Sequence, residues 1–468
     1  MWQSGGVMKT HLLILFTSIA TTFAQVAPPP TAADPFAPVP KAKPVGDPKD
    51  PFVKEGTGTQ TLTGENTYTG PWNCQVLFET FDLSRDDFLA LLDEKGDDDT
   101  RYRRVAEWMT AGRSKLSTFT AITTRSGQRV FLASSDEVRC PTRFDPPHIG
   151  DESAFPTEFA TRNAGESLEI ELSVGPDGQT AAVSLAPKST TLLNFTDHIA
   201  APGQPNSAVS QPQFSLRTFV TNVTTTMNRP RLVGTLTSTD DEAAPATQIR
   251  VAFLTVRRND LPAAQPSEIE KGATQSRNEY TFFSLERSAA RDLFLNTPEP
   301  QACYDGLRTL VVEKKARLEH VSINTTRFGQ QTRSDEIRDI SYATAWSVSR
   351  PVGFSRAIVP PTAADFETTN AGFFCQMEPQ KAGDGATIEM NYQFEFVRSL
   401  GALQVTGIAK TYPPQPLFET RKLNATVTAT AGKQQFIGTF NLPNESGVNG
   451  RKDDGRVWLG FVRAVLVK

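Results

Sequence analysis

The sequence predicts an α+β fold, predominantly β, arranged as two tandem homologous domains. Three observations carry that expectation. Thr and Val are plentiful in short alternating stretches, the pattern of strands with one face buried. Turn residues recur at short intervals between those stretches, as hairpins require. Five motifs also occur twice, in the same order and at nearly constant offset, which marks an internal repeat. A chain of 468 residues exceeds what one core normally serves, so two or three domains are expected.

Residues 1–24 read as a cleaved signal peptide. Lys9 supplies the positive end, Leu12 to Ile19 the apolar run, and Thr22 and Ala24 the small residues before Gln25. The run is too short for a membrane-spanning helix, and no Cys follows it to carry a lipid. No later stretch has the length and apolarity of a spanning helix, which leaves β structure as the only route into a bilayer. Residues 25–70 are Pro-rich, with Ala27-Pro28-Pro29-Pro30 and Pro38-Val39-Pro40. They hold too few apolar residues for a core and read as an extended, disordered linker.

The repeat follows. Lys115-Leu116 through Thr123-Thr124-Arg125-Ser126-Gly127-Gln128 returns about 202 positions later as Arg317-Leu318 through Thr325-Thr326-Arg327-Phe328-Gly329-Gln330. Ser135-Asp136-Glu137-Val138-Arg139 returns as Ser334-Asp335-Glu336-Ile337-Arg338, and Asn163-Ala164-Gly165 as Asn370-Ala371-Gly372. Gln211-Pro212-Gln213-Phe214 returns as Gln415-Pro416-Leu417-Phe418, and Leu232-Val233-Gly234-Thr235-Leu236 as Phe436-Ile437-Gly438-Thr439-Phe440. Copy one is read as residues 71–258 and copy two as 278–468, joined by the polar stretch 259–277.

Within a copy, the apolar run Cys74 to Phe81 predicts a strand. Ser84-Arg85-Asp86-Asp87 opens a short helix carrying Phe88, Leu89 and Leu92. A second helix places Tyr102, Val105, Trp108 and Met109 on one face and stops at Gly112; Tyr304, Leu307, Leu310 and Val311 are its counterparts, and both stripes read as core. Leu168 to Leu172 alternates, turns at Gly175-Pro176-Asp177-Gly178 and returns through Ala181 to Leu185. Gly383-Asp384-Gly385 is the matching turn. Asp-Gly in both predicts hairpins with positive φ at the two central residues.

These repeated segments resemble the C-terminal domain of bacterial secretins, the ring-forming outer-membrane channels of type II secretion and type IV pilus systems. Leu116 to Gln128 is similar to the secretin strand that ends at a Thr-x-x-Gly-Gln turn. Asn163 to Ile170 with Gly175 to Gly178 resembles the family's Gly-containing hairpin. Gln211 to Arg217, Val233 to Leu236 and Arg250 to Thr255 resemble its later strands. The resemblance implies a cell-envelope location, in the periplasm or outer membrane of a Gram-negative-type bacterium. It also implies partners that are either copies of this chain or a secretin-containing secretion complex. There are departures. The Pro-rich linker stands where secretins carry N-terminal ring domains, polar stretches replace the segment after Leu236, and Thr235 and Thr439 replace the second Gly of a Gly-Gly pair.

A search for chemistry finds no site. The three His after the leader, His148, His198 and His320, have no His counterpart in the other copy and no metal-ligand spacing. Asp93 to Asp99 lacks the Gly and Glu that a calcium loop needs and reads as a solvated loop. No nucleophile elbow, phosphate loop or dinucleotide turn occurs. Catalytic, cofactor-binding and metal residues are therefore expected to be absent, with no small-molecule substrate. A net charge of −4 provides no field for nucleic acid. Four Cys allow three pairings, of which Cys74 with Cys140 and Cys303 with Cys375 are expected first. The expected function is that of an exported, non-enzymatic envelope scaffold or interaction protein linked to secretion. The alternatives are an outer-membrane channel subunit in contact with lipid, with Glu169 and Glu171 lining a lumen, and an exported enzyme of unrecognised class.

Overall fold

Asn73–Ser84 forms β1, and its burial explains its composition. Val76 and Phe78 join one apolar cluster, while Leu77, Phe81 and Leu83 join another on the opposite face. A strand covered on both sides reads as a continuous apolar run, because successive side chains point to opposite faces. The computed structural model describes residues 72–145, 154–199, 208–236, 248–262, 272–348, 361–403, 414–441 and 455–468. The expected leader and linker, His148, the middle of the joining stretch (263–271) and most of both polar stretches lie outside the described residues.

After β1 come α1 (Arg85–Asp93), α2 (Asp98–Thr110), β2 (Ser114–Arg125), β3 (Arg129–Asp145), β4 (Phe155–Val174) and β5 (Thr180–Ile199). The first half ends with β6 (Ala208–Thr218), β7 (Thr221–Thr226), β8 (Arg231–Thr235) and β9 (Gln248–Asn259). The second half opens with β10 (Gln275–Glu286), α3 (Arg287–Asn296), α4 (Pro300–Val312), β11 (Arg317–Arg327) and β12 (Thr332–Ser347). It closes with β13 (Thr362–Lys381), β14 (Thr387–Leu403), β15 (Gln415–Thr430), β16 (Gln434–Asn441) and β17 (Arg456–Val467). Strand makes up 69% of the structure and helix 14%, so the fold is α+β with β predominant.

Each helix starts where its sequence supplies a cap. Ser84 accepts a hydrogen bond from the Asp87 amide at 3.1 Å, and Asp97 accepts one from the Thr100 amide at 3.0 Å. The acidic run after α1 thus supplies the cap and first turn of α2. Glu286 and Glu299 cap α3 and α4 in the same way.

Two antiparallel sheets run through both halves. One has eight strands in the order β11-β10-β17-β16-β2-β1-β9-β8; the other runs β12-β13-β14-β15-β3-β4-β5-β6, with β7 also on β5. The sheets face each other across a core that includes Ile122, Leu132, Ile170, Tyr280, Phe282 and Phe394. Helices α1 to α4 cover the other face of the eight-stranded sheet, over Phe81, Trp108, Phe119, Phe253, Phe294 and Phe461. The helix stripes Tyr102/Val105/Trp108 and Tyr304/Leu307 lie in this layer, as expected.

Strand order repeats between the halves. In the eight-stranded sheet, β11-β10-β17-β16 corresponds to β2-β1-β9-β8, and both halves bulge at the same step, between Thr80 and Phe81 and between Phe282 and Phe283. In the other sheet β12-β13-β14-β15 corresponds to β3-β4-β5-β6, and the work of the long β15 is divided between β6 and β7.

Two expectations are corrected. In the hairpin turns only the glycines have positive φ, 62° at Gly178 and 74° at Gly385; Asp177 and Asp384 do not. Each Asp carboxylate instead accepts backbone N–H bonds from beyond the turn, Asp177 from Gln179 and Thr180 and Asp384 from Ala386 and Thr387. This is the longer loop closed by a left-handed Gly, and it satisfies the Asp locally.

The second correction concerns cysteine. All four thiols are free and buried. Cys74 and Cys375 lie between the sheets, Cys303 under the helices, and Cys140 in a third, smaller cluster. Neither expected pair shares a cluster. Burial pushes Cys74, Cys303 and Cys375 up to about 12 and Cys140 up to about 11. The thiolate is the reactive species, so the folded protein should react negligibly with an aromatic disulfide reagent, and all four thiols should react in denaturant. Fast labelling of any thiol in the folded state would contradict this.

Candidate functional site

Among the described residues the two halves share both sheets along a central join, touch again where β12 meets β4, and leave two strand edges largely open. At the join, β16 pairs with β2 and β15 pairs with β3 in register from Phe418–Glu137 to Asn424–Phe131. Thr439 spans the first seam: its hydroxyl accepts from the Ala121 amide at 2.9 Å and lies 3.3 Å from the Ala121 carbonyl. Asn441 donates to Thr120 at 2.9 Å, and across the second seam Thr420 donates to Glu137 at 2.7 Å. At the hairpin ends, Arg139 reaches Tyr342 and Glu367, and Phe159 packs on Trp346 with ring centroids 5.4 Å apart.

Helix α3 crosses the join. Phe294 packs on Phe119 and Phe436, with centroids 5.9 and 4.5 Å away. Beside it Arg291 Nε donates to Glu79 at 2.5 Å, while its terminal nitrogen and Glu79 both bond the Tyr102 hydroxyl, at 2.6 and 2.7 Å. Burial, the largest single effect, opposes the charge on Arg291, yet Glu79 and Tyr102 together outweigh it and hold the guanidinium above its usual range. Burial, with Glu79 adding to it, drives the Tyr102 phenol far up, so it stays a neutral bridging hydroxyl.

The open edges are β11 with β12 on one side, apart from the far end of β12, where Ala345 pairs with Glu158 of β4, and β8 with β6 and β7 on the other. By repeat position, β11 and β12 correspond to β2 and β3, the strands covered at the join. Their exposures diverge accordingly. Leu318, Val321 and Ile323 are 51%, 48% and 60% exposed, whereas their counterparts Leu116, Phe119 and Ala121 are 8%, 0% and 0% exposed. Ile337 is exposed where Val138 is buried, and Phe366 is exposed where Phe159 meets Trp346. On the opposite edge Leu216 of β6 is exposed, as are Leu89 and Leu92 of α1, the counterparts of the buried Arg291 and Phe294. A row of unpaired strand groups flanked by apolar side chains is a template for another strand.

No convergence of titratable groups accompanies these edges among the described residues. His198 is exposed on β5. His320 lies half-buried on β11 against the Phe373 ring, 4.2 Å between centroids, with Glu336 at 3.9 Å; burial lowers its pKa and Glu336 partly offsets that. Among the described residues no group of three or more His, Cys, Asp or Glu is placed to hold a metal, and no helix is long and apolar enough to cross a membrane. The hairpin expected to line a channel lumen buries Leu168, Ile170 and Leu172 between the sheets, with Glu169 paired to Arg129.

A family profile described as Passenger-associated-transport-repeat matches residues 52–73. No curated protein matches the chain. Among solved structures the chain is similar to Aeromonas hydrophila ExeD, at 9% identity and a TM-score of 0.23 over 47% of this chain and 54% of that one. It is similar to the Salmonella SPI-1 type III secretion injectisome secretin InvG at 8% and 0.23, over 60% of this chain and 87% of that one. A third match is the Klebsiella pneumoniae type II secretion system outer membrane complex of PulD, PulS and PulC HR domain, at 10% and 0.24, over 47% and 45%. These neighbours are secretins. The chain spans about half the length of ExeD.

Proposed function

We propose that this chain is an exported, non-enzymatic envelope protein built from two copies of one domain, and that it self-associates head to tail. The open β8/β6 edge of one molecule pairs with the open β11/β12 edge of the next, as β16/β15 pairs with β2/β3 inside the chain. One observation carries the reading: the apolar residues exposed on the open edges occupy repeat positions that are buried at the internal join. A contact of this kind uses two different surfaces, so it propagates. It closes into a ring when the rotation per molecule permits, and otherwise winds into a filament. The leader-like N-terminus supports export, and the secretin-like motifs support a scaffold role beside protein secretion in the periplasm or at the outer membrane.

Sedimentation of the purified mature chain tests this. The wild-type chain should sediment as a multimer, and Val321→Asp with Ile323→Asp should leave a folded monomer, because both side chains are exposed in the single chain. A wild-type protein that stays monomeric at every attainable concentration would overturn the reading.

A further inference from the structure

We infer that α1 of one chain docks over β10 and β11 of the next, with Leu89 against Thr281 in place of the internal Arg291–Glu79 pair, so that the two copies must alternate along the assembly. This rests on the head-to-tail reading above.

The inference comes from two positions that have changed together. Arg291 is the fifth residue of α3 and Leu89 the fifth of α1. Glu79 is the seventh residue of β1 and Thr281 the seventh of β10. The third member is kept: Tyr102 and Tyr304 are each the fifth residue of the second helix. At the internal join the crossing helix brings a cation and the receiving strand a carboxylate. Where the repeat continues outward into the next chain, the helix would bring Leu89 and the strand Thr281, with no charge on either side. Leu92 would likewise meet Val321, as Phe294 meets Phe119.

Either combination is self-consistent, and mixtures are not. Two first copies joined together would bury Glu79 against Leu89, a carboxylate with no cation bonded to it and only Arg257 of its own half nearby. Two second copies would bury Arg291 against Thr281, a cation left with only the largely exposed Asp292 carboxylate 3.7 Å away. Burying one ion without its partner is far costlier than burying either the matched pair or the apolar pair. The exchange therefore selects second-copy-to-first contacts within a chain and first-copy-to-second contacts between chains.

Three forms of the mature chain test this by sedimentation. Leu89→Arg should weaken association on the order of 100-fold while leaving the monomer's melting temperature unchanged, because Leu89 is exposed. Thr281→Glu should weaken association similarly, and because Thr281 is buried it should also lower the monomer's melting temperature. Mixing the two variants should restore multimers, since the guanidinium introduced in one then meets the carboxylate introduced in the other. If the wild type does not assemble, the self-association reading itself fails. If the wild type assembles but Leu89→Arg assembles equally well, or mixing restores nothing, the docking inference falls and the self-association reading stands. Should Thr281→Glu fail to fold, oxidation of a Leu92→Cys/Val321→Cys chain decides. A ladder of disulfide-linked multimers supports the docking, and monomers or dimers alone overturn it.

Discussion

Arg291→Leu should destabilise the folded chain by about 3–5 kcal/mol, the cost of leaving a buried charge without its partner. The Arg291 and Glu79 side chains are only 5% and 2% exposed, so solvent does little to screen the loss. Glu79 would keep one hydrogen bond, from Tyr102, for a carboxylate that water no longer reaches. Glu79→Thr combined with Arg291→Leu should recover most of that loss, because both charges leave together and the pair becomes the one found at Thr281 and Leu89. Denaturant unfolding of the wild type, both single variants and the double gives the coupling directly. Additive losses would show that the ion pair is not the unit that holds α3 onto the first half.

Gly165→Ala and Gly372→Ala form the second prediction, each expected to cost about 2–5 kcal/mol from strained φ and overpacking combined. Gly165 has φ 155° and sits opposite Ser135 in the β3–β4 ladder. A Cβ there would lie 2.2 Å from the Ser134 carbonyl oxygen and 2.5 Å from Ser135 Cα, both backbone atoms with nowhere to move. Gly372 has φ 144°, and its Cβ would lie 2.1 Å from the Glu336 carbonyl oxygen. Thermal unfolding of each variant measures the cost. An unchanged melting temperature in either would mean that the close strand approach is not required.

The repeated motifs make this fold readable, and their meaning is readable only in part. Asn163-Ala164-Gly165 and Asn370-Ala371-Gly372 stand out as a matched pair, yet only the strand geometry shows why a side chain is excluded. Thr235 and Thr439 stand out as departures from a Gly-Gly pair, and at Thr439 the hydroxyl bonds the neighbouring strand across the join. Arg291 and Glu79 escape a reading of the sequence because they lie 212 residues apart, in different copies. A signal is present all the same: a Glu inside the apolar run Cys74 to Phe81, and an Arg where the matching helix has Leu89. The apolar character of Leu318, Val321 and Ile323 is visible in the sequence, but their exposure is not. Both copies carry apolar residues on that strand, and sequence periodicity does not say which copy has a neighbour. The Cys expectation fails for a similar reason, since spacing along the chain carries no information about which core layer each thiol enters.

Electron microscopy of the purified mature protein tests the central claim most directly. Rings or filaments in which the seam between chains resembles the join between the two halves of one chain are the expected result. Single particles, or two-fold dimers in which β11 meets β11 of its partner, would contradict it.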